Sequence, residues 1–124
     1  AEEFTINRPH PVIDTEPRAA GILREAQDPE LAVLLLDFVL GPAVNSDPVG
    51  SVINNIKTAM KMASERGGKL SVVASVCGTE ADPQKLSVQE KMLKDAGVIV
   101  CSSNYQAALL AGKIIKCKME RDGV

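Results

Sequence analysis

The chain has 124 residues, 45% of them hydrophobic and 24% charged, with a formal net charge of -2. That length suits one domain able to bury its own core. The slight acidity excludes a nucleic-acid protein, which needs a basic face against phosphates, and Phe4, Phe38 and Tyr105, the only aromatics, provide no stacking platform for single strands.

Residues 1–14 read as an entry segment. Phe4-Thr5-Ile6-Asn7 is a candidate edge strand, and the prolines flanking His10 exclude a helix there. Thr15-Glu16-Pro17 opens a helix whose apolar stripe is Ala19, Ile22, Leu23 and Ala26, and Asp28-Pro29 ends it. Ala32 to Phe38 is apolar except for Asp37 and bounded by turn signals, which predicts a strand covered on both faces. A loop from Gly41 to Pro48 follows, with Asp47 suited to an N-cap and Pro48 to the first helical position. Val49, Val52, Ile53, Ile56, Ala59, Met60 and Ala63 recur at helical spacing until Gly67-Gly68. Leu70 to Val76 predicts a second buried strand and Cys77 to Gln84 a loop. Ser87 and Glu90 form a capping-box pattern ahead of a helical face made of Val88, Met92, Leu93 and Ala96. Val98 to Cys101 is a third strand. A second capping box, Ser103 to Gln106, starts a helix facing inward with Ala107, Leu110, Ala111 and Ile114. Its end, Lys113 to Arg121, is locally basic, as suits a helix C-terminus.

The alternation implies an α/β domain over residues 15–118, with a mostly parallel sheet, right-handed crossovers, helices on both faces and a short tail at 119–124. Ligands in such sheets bind beyond the carboxyl ends of the strands, which singles out Gly41 to Asp47 and Cys77 to Gln84. Each loop feeds a helix N-terminus that favours anions. The first has no GxGxxG pattern and no Walker lysine, and Asp47 competes with any anion there; it reads as an ordinary turn or a weak anion cradle. In the second, Glu80 and Asp82 are either an acid–base pair or two solvated carboxylates. Asp37, near the end of an apolar strand, either satisfies a neighbouring backbone group or reaches the crevice. Cys77 reads as a small buried residue. Three cysteines without a CxxC pair indicate neither a disulfide framework nor a zinc site, and a reducing, cytoplasmic setting is expected. His10 is the only histidine, so no Ser-His-Asp triad is at hand. The longest apolar run, Leu31 to Leu40, is too short to span a membrane.

Taken together, RPHPVID at 8–14, LLLDFVLGPAVNSDP at 34–48, SVCGTEADPQ at 75–84 and SSNYQAALLAGKI at 102–114 resemble the C-terminal region of FdrA-family proteins, from about Phe4 to Lys116. That family is in turn similar to succinyl-CoA synthetases. The resemblance implies a flavodoxin-like three-layer α/β/α fold that lacks its first strand and helix here. It also implies a β-subunit-type domain, in which Leu34 to Val52 presents a helix to an anion and no phosphorylated histidine is carried. The synthetase loop is richer in glycine than GPAVNSDP.

The candidate ligand or anion residues are Asp37, Gly41, Asn45, Asp47, Gly78, Thr79, Asp82, Gln84 and Asn104, with no metal ligand and no assigned catalytic group. What the resemblance implies is part of a larger enzyme, acyl-CoA ligase-like or an oxamate carbamoyltransferase of allantoin breakdown. No cofactor is assigned to this chain; CoA or a nucleotide is a candidate ligand of the full-length protein. The alternative is a non-catalytic module that docks onto itself or onto other subunits of an FdrA-type assembly.

Overall fold

Buried apolar strands alternating with amphipathic helices give a four-stranded, all-parallel sheet in the computed structural model, which describes residues 9–121. The elements run β1 (His10–Asp14), α1 (Ala19–Ala26), β2 (Leu31–Val39), α2 (Ile53–Glu65), β3 (Ser71–Cys77), α3 (Leu86–Asp95), β4 (Ile99–Cys101) and α4 (Asn104–Arg121). The strands lie side by side in chain order. When every crossover steps the same way with the same hand, the connecting helices fall on one face. Accordingly α1, α2 and α3 share a core with one side of the sheet, where Ile22, Ile56 and Leu93 meet Leu34, Leu36 and Val72. The other side, Ala32, Val33, Leu35 and Val73, is covered among the described elements by α4, through Ala107 and Ala111. This is a three-layer α/β/α fold, with β2 buried on both faces as its apolar run predicts.

Several local expectations change. The extended candidate at Phe4–Asn7 lies outside the described residues, whereas the proline-flanked piece at His10–Asp14 forms the edge strand. Its parallel ladder to β2 is irregular between His10 and Pro11, and an edge position tolerates the N–H that proline lacks. Helix α1 begins at Ala19, after Thr15-Glu16-Pro17. Regular α2 begins at Ile53, because residues 48–52 form tighter turns ahead of it. The Ser87–Glu90 capping box does not form: Ser87 already lies inside α3, and its amide donates to Glu80 Oε2 at 3.0 Å instead. Val88 is exposed, and Gln89 takes the inward position beside Leu93. The second box forms by half, with Gln106 N donating to Ser103 Oγ at 3.1 Å while the Gln106 side chain pairs with Ser102. Gly67 and Gly97, both at positive φ, end α2 and α3 in the left-handed conformation that glycine adopts without cost.

Candidate functional site

Strands β2 and β3 end side by side, with Val39 opposite Cys77, so the loops that follow them are neighbours. Two buried glutamines from the β3–α3 region join these loops. Gln84 accepts from Gly41 N at 3.1 Å and donates through Nε2 to the carbonyls of Gly41 at 2.7 Å and Asn45 at 2.8 Å. Gln89 accepts from Val49 N at 2.9 Å and donates to Asp47 Oδ1 at 2.9 Å. Both are almost fully buried, and a buried amide must be satisfied to be tolerated; these two are satisfied by the other loop's backbone and by Asp47.

The turns ahead of α2 are closed in the same manner. Asp47 N donates to Asn45 Oδ1 at 2.8 Å, Gly50 N to Asp47 Oδ1 at 3.0 Å, and Ser51 N to the Asp47 carbonyl at 3.0 Å. With Val49 N on Gln89 and Val52 N on the Val49 carbonyl, each non-proline amide from 47 to 52 has a partner within the chain. A Cβ on Gly50 would lie 2.0 Å from Asp47 Oδ2, so glycine is what admits the capping carboxylate. An anion entering this turn therefore has to displace Asp47.

The β3–α3 loop is folded on itself. Asp82 Oδ2 accepts from Thr79 N at 2.6 Å, Thr79 Oγ1 accepts from Ala81 N at 3.2 Å, and the Thr79 carbonyl accepts from Asp82 N and Leu86 N. Hydrogen bonds from Ser87 hold the Glu80 carboxyl below the usual carboxylate range, away from what a general acid needs. Lys85, at φ 59°, carries the backbone into α3; such a conformation in a non-glycine residue persists only when its surroundings fix it, and here Gln84 and the Thr79 carbonyl do so. Gly78 stands against Leu40, whose side chain a Cβ would meet at 2.7 Å. Cys77 is exposed, contrary to its reading as a buried residue, because it falls at the last position of β3, where the sheet's cover ends.

Among the described residues Asp37 satisfies no backbone group. It accepts from Ser75 Oγ at 3.1 Å and stands between two clefts at the carboxyl ends. One, of about 820 Å³, runs from Glu16 and Arg18 past Asp37 to Asn45 and Ser51. The other, of about 340 Å³, lies on the α4 face, where Asp37 and Ser75 meet Asn104 and Tyr105. Asp37 and Asn45 thus line one cleft and Asp37 and Asn104 the other, while Gly78, Thr79, Asp82 and Gln84 line neither. Gln89, Ser75 and Arg18 escaped the sequence reading. A glutamine at an inward helical position was the available signal for Gln89. Among the described residues no group of three or more His, Cys, Asp or Glu side chains is placed to hold a metal ion, and no helix is long and apolar enough to cross a membrane.

Parallel strands in a three-layer sandwich with polar loops over their carboxyl ends define an open α/β domain. A family model described as CoA-ligase matches residues 2–114, and the chain belongs to that family. It is also 46% identical over 119 residues to the protein named Uncharacterized protein YahF of Escherichia coli (strain K12), an alignment that takes in 96% of this chain and 23% of that protein. The chain thus spans about a quarter of that relative's length, as a domain of the type found in acyl-CoA synthetases and related proteins.

Proposed function

We propose that this domain works as one part of an acyl-CoA-synthetase-related enzyme and turns the carboxyl-end face of its sheet toward a reacting centre completed by other parts. The observation that carries this reading is the joining of the two loops by Gln84 and Gln89. Two buried amides that spend their hydrogen bonds on the neighbouring loop hold a polar surface in one geometry, which a positioning element requires. Carboxylates outnumber cations there: Glu16, Asp37, Asp47, Glu80 and Asp82 lie on or beside the face, with Arg18 and Lys85 among them. An acyl phosphate, carbamoyl phosphate or CoA phosphate brought there needs cations from the rest of the enzyme. In this reading the domain orients the reactants and leaves charge neutralisation to others, and its place is in an FdrA-type assembly in the cytoplasm, as an acyl-CoA ligase or a carbamoyltransferase.

The test is made in the complete enzyme. Asp37→Asn, Ser75→Ala and Asn104→Ala are assayed for nucleotide-dependent acyl-CoA formation from a panel of short carboxylates, and for carbamoyl transfer. A fall of about tenfold or more in either activity, with folding and assembly intact, is expected; unchanged activity in all three sinks the reading. A second reading, docking of subunits on this face, draws on Ile13, Val39 and Val44, which are 66%, 51% and 45% exposed there. It expects Val44→Asp to change the assembly's mass and leave turnover per assembled enzyme unchanged.

A further inference from the structure

The sheet's α4 face holds a surface that this function does not use. Helix α4 lies mainly over β2 and β3. With strands about 4.8 Å apart, a helix about 10 Å across covers two of them. The outer strands are therefore less covered on this face, and Ile99 of β4 is 44% exposed. Beside β4, toward the amino ends of the strands, the open strip becomes a groove of about 530 Å³ floored by Ala32, Ile99, Leu110 and Ile114. Its rim carries Lys69, Lys113, Lys118 and Arg121, and among the described residues no acidic one lines it.

In a chain with 14 basic and 16 acidic residues, four cations around one apolar strip are a marked segregation of charge. Among the described residues none of the four is ion-paired. Lys118 Nζ donates to the Lys69 carbonyl at 3.2 Å, which fixes one ammonium on the rim. The dipole of α4 accounts for Lys118 and Arg121 in its last turn. It does not account for Lys113, more than two turns before Arg121, or for Lys69, which comes from the α2–β3 loop.

We propose that this groove docks an acidic amphipathic helix of a partner polypeptide. The helix lies beside α4 and over β4, with its apolar side on Ile99 and Ile114 and its carboxylates on the basic rim. A helix seated there stands at the usual 8–10 Å from α4, and an apolar stripe flanked by charge is how helix-in-groove partners are read. Charge complementarity supplies selectivity and a strong dependence on salt. The groove is at the opposite end of the sheet from the carboxyl-end loops, so this inference stands apart from the proposed catalytic role.

The experiment titrates the isotope-labelled chain, followed by amide chemical shifts, with a synthetic amphipathic peptide of about five helical turns. Leucines form one side of the peptide and glutamates flank them. The comparison ligands are the same peptide with lysine for glutamate, inorganic tripolyphosphate, and vesicles of phosphatidylserine and phosphatidylcholine. The expected result is saturable shifts at Lys69, Ile99, Lys113, Ile114 and Lys118 with the acidic peptide. Added salt weakens them, and K113E/K118E weakens them by about tenfold or more. Equal binding of the lysine peptide, shifts confined to other surfaces, or no binding of the acidic peptide at millimolar concentration would overturn the proposal. So would tripolyphosphate or the vesicles saturating the groove where the acidic peptide does not. The peptide's charge reversal is read on the unaltered chain, so the test survives a variant that fails to fold.

Discussion

The two faces of the sheet are built from the same strands and differ in how they are covered. On one, three helices close over Leu34, Leu36, Phe38, Val72 and Ala74, and Ile22, Ile56 and Leu93 are wholly excluded from water. On the other, one helix among the described elements rests on Ala32, Val33, Leu35 and Val73 through Ala107 and Ala111, flanked by Leu110 and Ile114, and Ile13 and Ile99 of the outer strands stay exposed. The difference follows from strand order and handedness. It teaches that the apolar character of a strand does not by itself say how well either side of it is packed; the path of the chain decides that.

The largest expected effect breaks the closed face. Leu36→Ala, at a position with no exposure, should cost about 2–5 kcal/mol in urea unfolding. Leu110→Ala, which is only partly buried on the α4 face, should cost roughly 1 kcal/mol, in proportion to the smaller area it withdraws from water. Equal losses would mean the faces are packed alike. Next is the joint between the loops. Gln89→Leu leaves Val49 N without its partner and the Asp47 carboxylate with only Gly50 N of its two donors, at about 1–3 kcal/mol. The measurement is unfolding together with amide exchange at Val49, which should speed up. Gly50→Ala forces the new Cβ against Asp47, costing about 1–3 kcal/mol; Asp47→Ala in the same chain should recover part of that loss, and no recovery would show that the crowding is not the cause. Ile99→Ser, on the open flank, should change stability by about 0.5 kcal/mol or less.

The smallest effect lies at the amino ends, where His10 Nε2 meets Asp28 Oδ2 at 2.7 Å. The backbone hydrogen bond from Glu30 is the main reason the Asp28 carboxyl lies below its ordinary 3.8; burial opposes it, and the His10 hydrogen bond and the charges of His10 and Arg66 add smaller lowerings. Folding therefore favours the ionised form. Its contribution is complete above pH 3.8 and is lost as the pH falls through the lowered value. Melting temperatures of the wild type and Asp28→Asn should differ above that window and converge below it. A difference that persists into stronger acid would assign the effect to packing.

Much of the fold is legible in the sequence, for physical reasons. The apolar run at 32–38 leaves few alternatives to a doubly covered strand, and the period of Val49 to Ala63 fits only a helix. The edge strand at His10–Asp14 is less legible because two prolines and a short ladder mask its extended character. Coverage of the faces is not local information, so the openness beside Ile99 could not be read. At the candidate site, position was legible and bonding was not. The loops lie where strand ends place them, yet Gln84 proves to be a fastener between loops, and Asn104 shares a cleft with Asp37 away from Thr79. Side-chain partners such as Gln89 with Asp47, 42 residues apart, arise only when the chain has folded.

The sequential order of the strands also bears on how the molecule is made. Each strand pairs with the one synthesised just before it, so a chain leaving the ribosome can extend the sheet one unit at a time without waiting for distant segments. Helix α4 emerges after all four strands and is the sole cover of the second face among the described elements. Until it docks, Val33, Leu35 and Val73 stay wet on a growing sheet. A nascent chain paused before Asn104 is therefore the species that most needs a chaperone.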